Sequence, residues 1–237
     1  MSGANIGLGG GRLRWALALA GCVLLAASSA FGHGVAEGDQ LFLESTAGSQ
    51  LIPFVYLGAK HMVTGYDHLL FLVGVIFFLY RMRDVGTYVS LFAVGHSVTL
   101  LYGVLSGTDV NPYIVDAIIG FSVVYKGLDN LGKFERWFGF QPNTKAAVLL
   151  FGLVHGFGLA TKLQDFELSS EGLVGNIIAF NVGVEVGQFL ALAAILVGMG
   201  YWRRSESFVA HADTANKLLI AAGVALVVYQ CNGYLNS

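Results

Sequence analysis

Six stretches of this chain are apolar at almost every position, at roughly 60–80, 87–105, 112–131, 146–162, 174–201 and 215–233. A helix needs about 20 apolar residues to cross a bilayer, so each stretch predicts one spanning helix. The connections are short and leave no room for a soluble domain beyond a tail at 33–50. The expected fold is all-α, a polytopic membrane bundle of about six transmembrane helices within 51–237. The fifth stretch is long enough to tilt or to project from the membrane.

Residues 1–32 read as a secretory leader. Arg12 and Arg14 form a basic start, Trp15 to Ala27 an apolar run, and Ser28-Ser29-Ala30-Phe31-Gly32 a small-residue exit. Cleavage is expected after Ala30 or after Gly32, and the second would leave His33 as the new N-terminus. An uncleaved signal anchor is the alternative. Leu19-Ala20-Gly21-Cys22 also matches a lipoprotein box, although the apolar run continues well past the cysteine.

Basic residues set the orientation. Arg81 and Arg83 lie in the first connection, Lys133, Arg136 and Lys145 in the third, and Arg203, Arg204 and Lys217 in the fifth. The second has none, and the fourth sets Asp165, Glu167 and Glu171 against Lys162 alone. The positive-inside rule puts the odd-numbered connections in the cytoplasm, with both ends of the mature chain outside it. A bacterial inner-membrane location follows. Composition agrees, with 55% hydrophobic and 12% charged residues against about 25% charged in soluble domains. A net charge of -2 argues against a nucleic-acid partner. Cys22 and Cys231 are the two cysteines, one in the leader, so no internal disulfide is expected in the mature protein.

Polar residues interrupt the apolar stretches, and ionisable groups inside a membrane mark a substrate or ion path by default. His61 and His68 are seven apart, on one helical face. Asp67 can accept from the His68 ring or bind a metal itself, and Gly65 lets the backbone between them distort. His96 lies in the second stretch, Asp116 and Ser122 in the third, and His155 between Gly152, Gly156 and Gly158 in the fourth. Lys126 and Asp129, three apart, are expected to pair structurally. Gly152 with Gly156, and Gly183 with Gly187, are spaced for close helix packing.

Asn181, Glu185 and Gln188 fall at i, i+4 and i+7, which predicts one shared face. A midspan glutamate is either ionised beside a cation or protonated and bonded to Asn181. By depth, Asp67, His68, Asp116 and Asn181 belong to the outer halves of their helices, with His96, His155 and Glu185 nearer the middle. The expectation is one site formed by four helices. Its imidazole and oxygen donors, without thiolate or thioether, suit Ni²⁺, Co²⁺ or Zn²⁺ rather than Cu⁺.

Several of these blocks resemble the HupE/UreJ family of membrane proteins, associated with nickel supply to hydrogenase and urease. The likeness covers most of 58–200. His61 with Asp67-His68 matches the family's leading histidine, five residues and Asp-His. Gly65-Tyr66-Asp67-His68-Leu69-Leu70-Phe71-Leu72, Gly95-His96-Ser97-Val98-Thr99-Leu100, the run Gly152 to Gly158 and the run Phe180 to Gln188 are similar to its UreJ-like branch. Asp116 stands where a glutamate is expected, and Met62 replaces a frequent proline. The resemblance implies a nickel or cobalt permease or facilitator with His61, Asp67, His68, His96, Asp116, His155, Asn181, Glu185 and Gln188 as candidate ligands.

Two other readings use the same residues. An intramembrane zinc hydrolase would take His68, His96 and His155 with Asp67, Asp116 and Ser122, zinc activating a bound water. An accessory metal-binding subunit would add His33 from the tail. The chain contains no nucleotide-binding signature. Expected partners are therefore the lipid bilayer and a divalent metal ion, with room for a homo-oligomer or a larger membrane complex.

Overall fold

The computed structural model describes residues 48–164 and 171–237. The leader, His33, Asp165, Glu167 and nearly all of the tail at 33–50 lie outside the described residues. Those described form eight helices and no strand: α1 (Leu51–Thr64), α2 (Tyr66–Ile76), α3 (Met82–Ser106), α4 (Pro112–Asn130), α5 (Lys133–Phe138), α6 (Thr144–Gln164), α7 (Leu173–Arg203) and α8 (Glu206–Asn236). The protein is an all-helical membrane bundle, as its hydropathy requires.

Among the described residues, α3, α6, α7 and α8 are long and apolar enough to cross a bilayer alone. The other two expected spans differ from a plain apolar helix. The first is not one helix from residue 60 but two, of 14 and 11 residues, broken at Gly65. At about 1.5 Å per residue neither half reaches across about 30 Å of hydrocarbon, whereas the two together do. The start moves back to Leu51 because Gly58, Lys60 and His61 interrupt an apolar run that already begins there. The other is α4, which carries Asp116, Lys126 and Asp129 within 19 residues. Each of these charges is paired: Lys126 with Asp129 at 2.5 Å, and Asp116 with Lys162 at 2.9 Å. The short helix α5, inside the third connection, was not signalled by hydropathy.

The helices pack chiefly as three pairs, α1 with α7, α3 with α6 and α4 with α8. Glycines bring each pair into backbone contact. Gly152 lies against the backbone of Phe92, Gly156 against that of His96 and Gly103 against Ala160, so α3 and α6 run parallel. Gly183 meets Val55 and Gly187 meets Ala59, so α1 and α7 are also parallel. Gly120 meets Val227 while Gly127 meets Asn216, which makes α4 and α8 antiparallel. These directions are those of a chain that crosses alternately six times, with α1 and α2 counted as one crossing.

Local chemistry fixes two helix ends that position the rest. The Asn111 side chain accepts from the backbone N–H of Tyr113 at 3.0 Å and of Ile114 at 3.3 Å, with Pro112 in the first turn, so α4 starts where the sequence placed it. At the far end of α2, the Arg203 guanidinium donates to the carbonyls of Ile76, Phe77 (2.8 Å) and Leu79 (3.0 Å). A cation from α7 thereby satisfies carbonyls that a helix end leaves open.

The α3–α6 contact can be tested by crowding it. A Cβ at Gly95 would stand 2.6 Å from the Leu149 carbonyl oxygen. Gly95→Val should lower the thermal midpoint of the detergent-purified protein, at a cost of about 1–3 kcal/mol. Gly86→Ala, in open space on the same helix, should not lower it. Equal midpoints for Gly95→Val and the unsubstituted protein would mean the two backbones do not touch.

Candidate metal site

The break at Gly65 lets α2 begin inside the bundle, so that Asp67 and His68, its second and third residues, are both buried. Any side chain at position 65 would crowd this pair, since its Cβ would lie 2.7 Å from His68 Nδ1 and 3.2 Å from Asp67 Oδ1. With φ -73 and ψ 96, the Gly65 backbone is open to other residues. The glycine is therefore required by space and not by conformation.

His68 stands at the centre of a group of imidazoles. Its ring centroid lies 5.2 Å from that of His61, 5.1 Å from His155 and 6.3 Å from His96. The parallel packing of α3 and α6 brings His96 and His155 in together, with Gly156 seated on the His96 carbonyl. The Thr99 hydroxyl donates across that interface to the Leu153 carbonyl at 2.7 Å. Phe71 and Phe92 wall the group, with the Phe92 ring 4.9 Å from His155 and the Phe71 ring 5.7 Å from it.

Hydrogen bonds define which nitrogens face inward. His155 Nδ1 lies 2.6 Å from the Phe151 carbonyl, which can only accept, so Nδ1 carries the proton. His68 Nδ1 lies 3.0 Å from Asp67 Oδ1 and donates in the same way. In the neutral rings Nε2 is then an unshared lone pair, the form that binds a metal. Nε2 of His61, His68 and His155 is buried with no hydrogen-bond partner. Such groups are costly in hydrocarbon unless something binds them.

Asp67, His68 and His155 each bring one donor atom within 4.8 Å of the others. Ligands held about 2.1 Å from one ion stand roughly 3–4 Å apart, so only a small inward movement would complete a coordination shell. A small cavity of about 10 Å³, space for about one water molecule, lies beside His68 and is lined by Met62, Phe71, Phe92 and Gln188.

The remaining candidates divide. Asn181 lies beside His96, and Gln188 is buried on the cavity with its amide directed to the Val89 carbonyl at 3.5 Å. Glu185 is not on their face: it is exposed on the outer side of α7, between Val182 and Phe189. At about 100° per residue, Glu185 and Gln188 lie some 60° apart on either side of Asn181. That angle spans the rim of the packed surface, which the i, i+4, i+7 spacing alone could not locate.

Asp116 is buried but held by Lys162 through both carboxylate oxygens, at 2.9 and 3.1 Å, with Gln230 Nε2 at 3.4 Å. The structure does not bring it to the imidazoles as a free donor. Ser122 donates its hydroxyl to the Ile119 carbonyl at 2.6 Å, so both of these hydrolase candidates are engaged by other protein groups. Lys162, assigned by sequence to a connection, belongs to this buried set. Its position seven residues after His155 was the signal available for it.

Apolar helices around a buried histidine and aspartate cluster define the class as a helical membrane protein with a candidate metal site. The family model described as HupE / UreJ protein matches residues 37–237, and the chain belongs to that family, which is associated with nickel and cobalt transport. No curated protein and no solved structure matches the chain.

Gly65→Ala probes the site without disturbing a special backbone. It should weaken Ni²⁺ binding by the purified protein about 10–100-fold, as loss of an outer-shell partner does, with helix content unchanged by circular dichroism. Unaltered affinity in equilibrium dialysis would show that the Asp67–His68 geometry does not govern binding.

Proposed function

We propose that this protein is a permease for a divalent transition-metal ion, with Ni²⁺ as the first substrate and Co²⁺ the next, carried through the bundle by the His61, His68, His96 and His155 cluster. One observation supports this most: three imidazole Nε2 atoms, from α1, α2 and α6, are buried with nothing to bind them. Asp67 fixes the ring of His68, and its carboxylate charge offsets part of the ion's. Asn181 and Gln188 add neutral oxygen donors beside the path.

An ion leaving water must find ligands strong enough to replace its hydration and weak enough to release it, which several partial sites in series provide. A set of imidazoles with a single nearby carboxylate fits that requirement better than a cage of several carboxylates would. The borderline hardness of the donors favours nickel, cobalt or zinc, and the family's association selects among them. The positive-inside pattern supports entry from the extracytoplasmic side, with α4 beginning and α6 ending there.

Proteoliposomes containing the purified protein should accumulate Ni²⁺ and Co²⁺ faster than Mn²⁺. His68→Ala and Asp67→Asn should each reduce uptake by at least about tenfold, the scale for losing a ligand or its orienting partner, while reconstituting in normal amounts. Undiminished uptake in both variants would take the path away from this motif. One tightly retained Zn²⁺ per chain, without exchange, would instead favour the hydrolase.

A further inference from the structure

We propose that Lys162 is a tethered internal cation that closes the outer entrance to the histidine cluster: it holds Asp116 until a divalent ion takes that carboxylate from it. The proposal deepens the permease reading and rests on it. Lys162 is seven residues beyond His155 on α6, two turns or about 10 Å towards the helix end and on the same face. Asp116 is one turn into α4, at the same end of the bundle. The pair therefore stands between His155 and the end of the bundle that the basic-residue pattern places outside the cytoplasm.

Three features separate it from a surface ion pair. Both side chains are largely enclosed, at 15% and 7% exposure. Both carboxylate oxygens are committed to the ammonium, and Gln230 from α8 adds a donor to one of them. At Gly158, between His155 and Lys162, a Cβ would stand 2.9 Å from Val115 and 3.8 Å from Asp116 Oδ1. The side chains of α4 thus pack against the α6 backbone beside the carboxylate, and an ion that reaches this end of the bundle meets Asp116 there. A lysine is suited to such a seat. Its charge sits on a flexible four-carbon stem, so the ammonium can swing outward without moving a helix, and Thr161 and Leu163 on either side of it are buried and keep α6 in place.

Lys162 would act as a positioning residue, through Asp116, and its effect belongs in the concentration dependence of uptake. In proteoliposomes, Lys162→Met should lower the half-saturating Ni²⁺ concentration by about tenfold, the scale of one close charge pair. Asp116→Asn should raise it, and Lys162→Met with Asp116→Asn should behave as Asp116→Asn alone. Unchanged half-saturation in all three, with the single variants less thermally stable and the double variant restored, would make the pair a structural tie and overturn the proposal. Absence of Ni²⁺ uptake and binding in the unsubstituted protein would instead remove the permease reading, and the gate with it. Binding of Ni²⁺ with normal uptake that ignores position 162 would sink the gate alone.

Discussion

The hydrogen bond from His68 Nδ1 to Asp67 Oδ1 is the contact on which the interior of this protein is organised. Inside hydrocarbon no water competes for polar groups, so each must be satisfied by protein or by a ligand. Asp67 uses one oxygen to fix a ring whose other nitrogen then faces three further imidazoles. The break at Gly65 makes the contact possible, because a continuous helix would carry residues 66–68 past the bundle axis on one fixed screw. Breaking the helix opens backbone groups within the membrane. Two helical bonds survive on either side of the break: the Gly65 N–H donates to the His61 carbonyl at 2.9 Å, and the Leu69 N–H to the Gly65 carbonyl at 3.1 Å.

Around that point, glycine sets the distances. Without a hydrophobic drive between helices in lipid, association depends on close packing and interhelical hydrogen bonds. The α3–α6 pair shows both, with Gly95, Gly152 and Gly156 against facing backbone and Thr99 bonded to Leu153. The same approach that holds the pair together carries His96 and His155 to the His68 ring. Packing and site are one arrangement, so a volume change at the interface is expressed in the positions of the imidazoles.

Helix α4, which carries Asp116, Lys126 and Asp129, is fastened to α6 near both ends. Asp116 is bound to Lys162 at one end; at the other, Asp129 accepts from Lys126, Gln141 and Thr144 (3.4 Å). Asn130 donates to the Gly74 carbonyl and to Asn216, both at 2.9 Å, which adds α2 and α8 to the inner cluster. Two polar clusters therefore bracket the imidazoles along α6: Lys162 lies seven residues after His155 and Thr144 eleven before it, each about 20° from it around the helix. Glu185 stands apart from both, on the outer face of α7 at midspan.

By itself the sequence determined the class of fold and singled out the polar residues that the structure gathers in the interior. Runs of about 20 apolar residues admit little else than spanning helices, and histidines within them had to face one another and not lipid. His61, Asp67, His68, His96 and His155 could be named before their positions were known, because their cost in hydrocarbon depends on residue type alone. Tertiary structure decided which polar residues share a space. Helical periodicity put Asn181, Glu185 and Gln188 together, but the edge of the buried face falls between Glu185 and its neighbours and is set by where α1 and the core lie. It also decided that Asp116 meets Lys162, a partner 46 residues away that no local spacing connects. Pairing between helices depends on their rotation and depth, which are fixed by glycine contacts distributed over the whole chain.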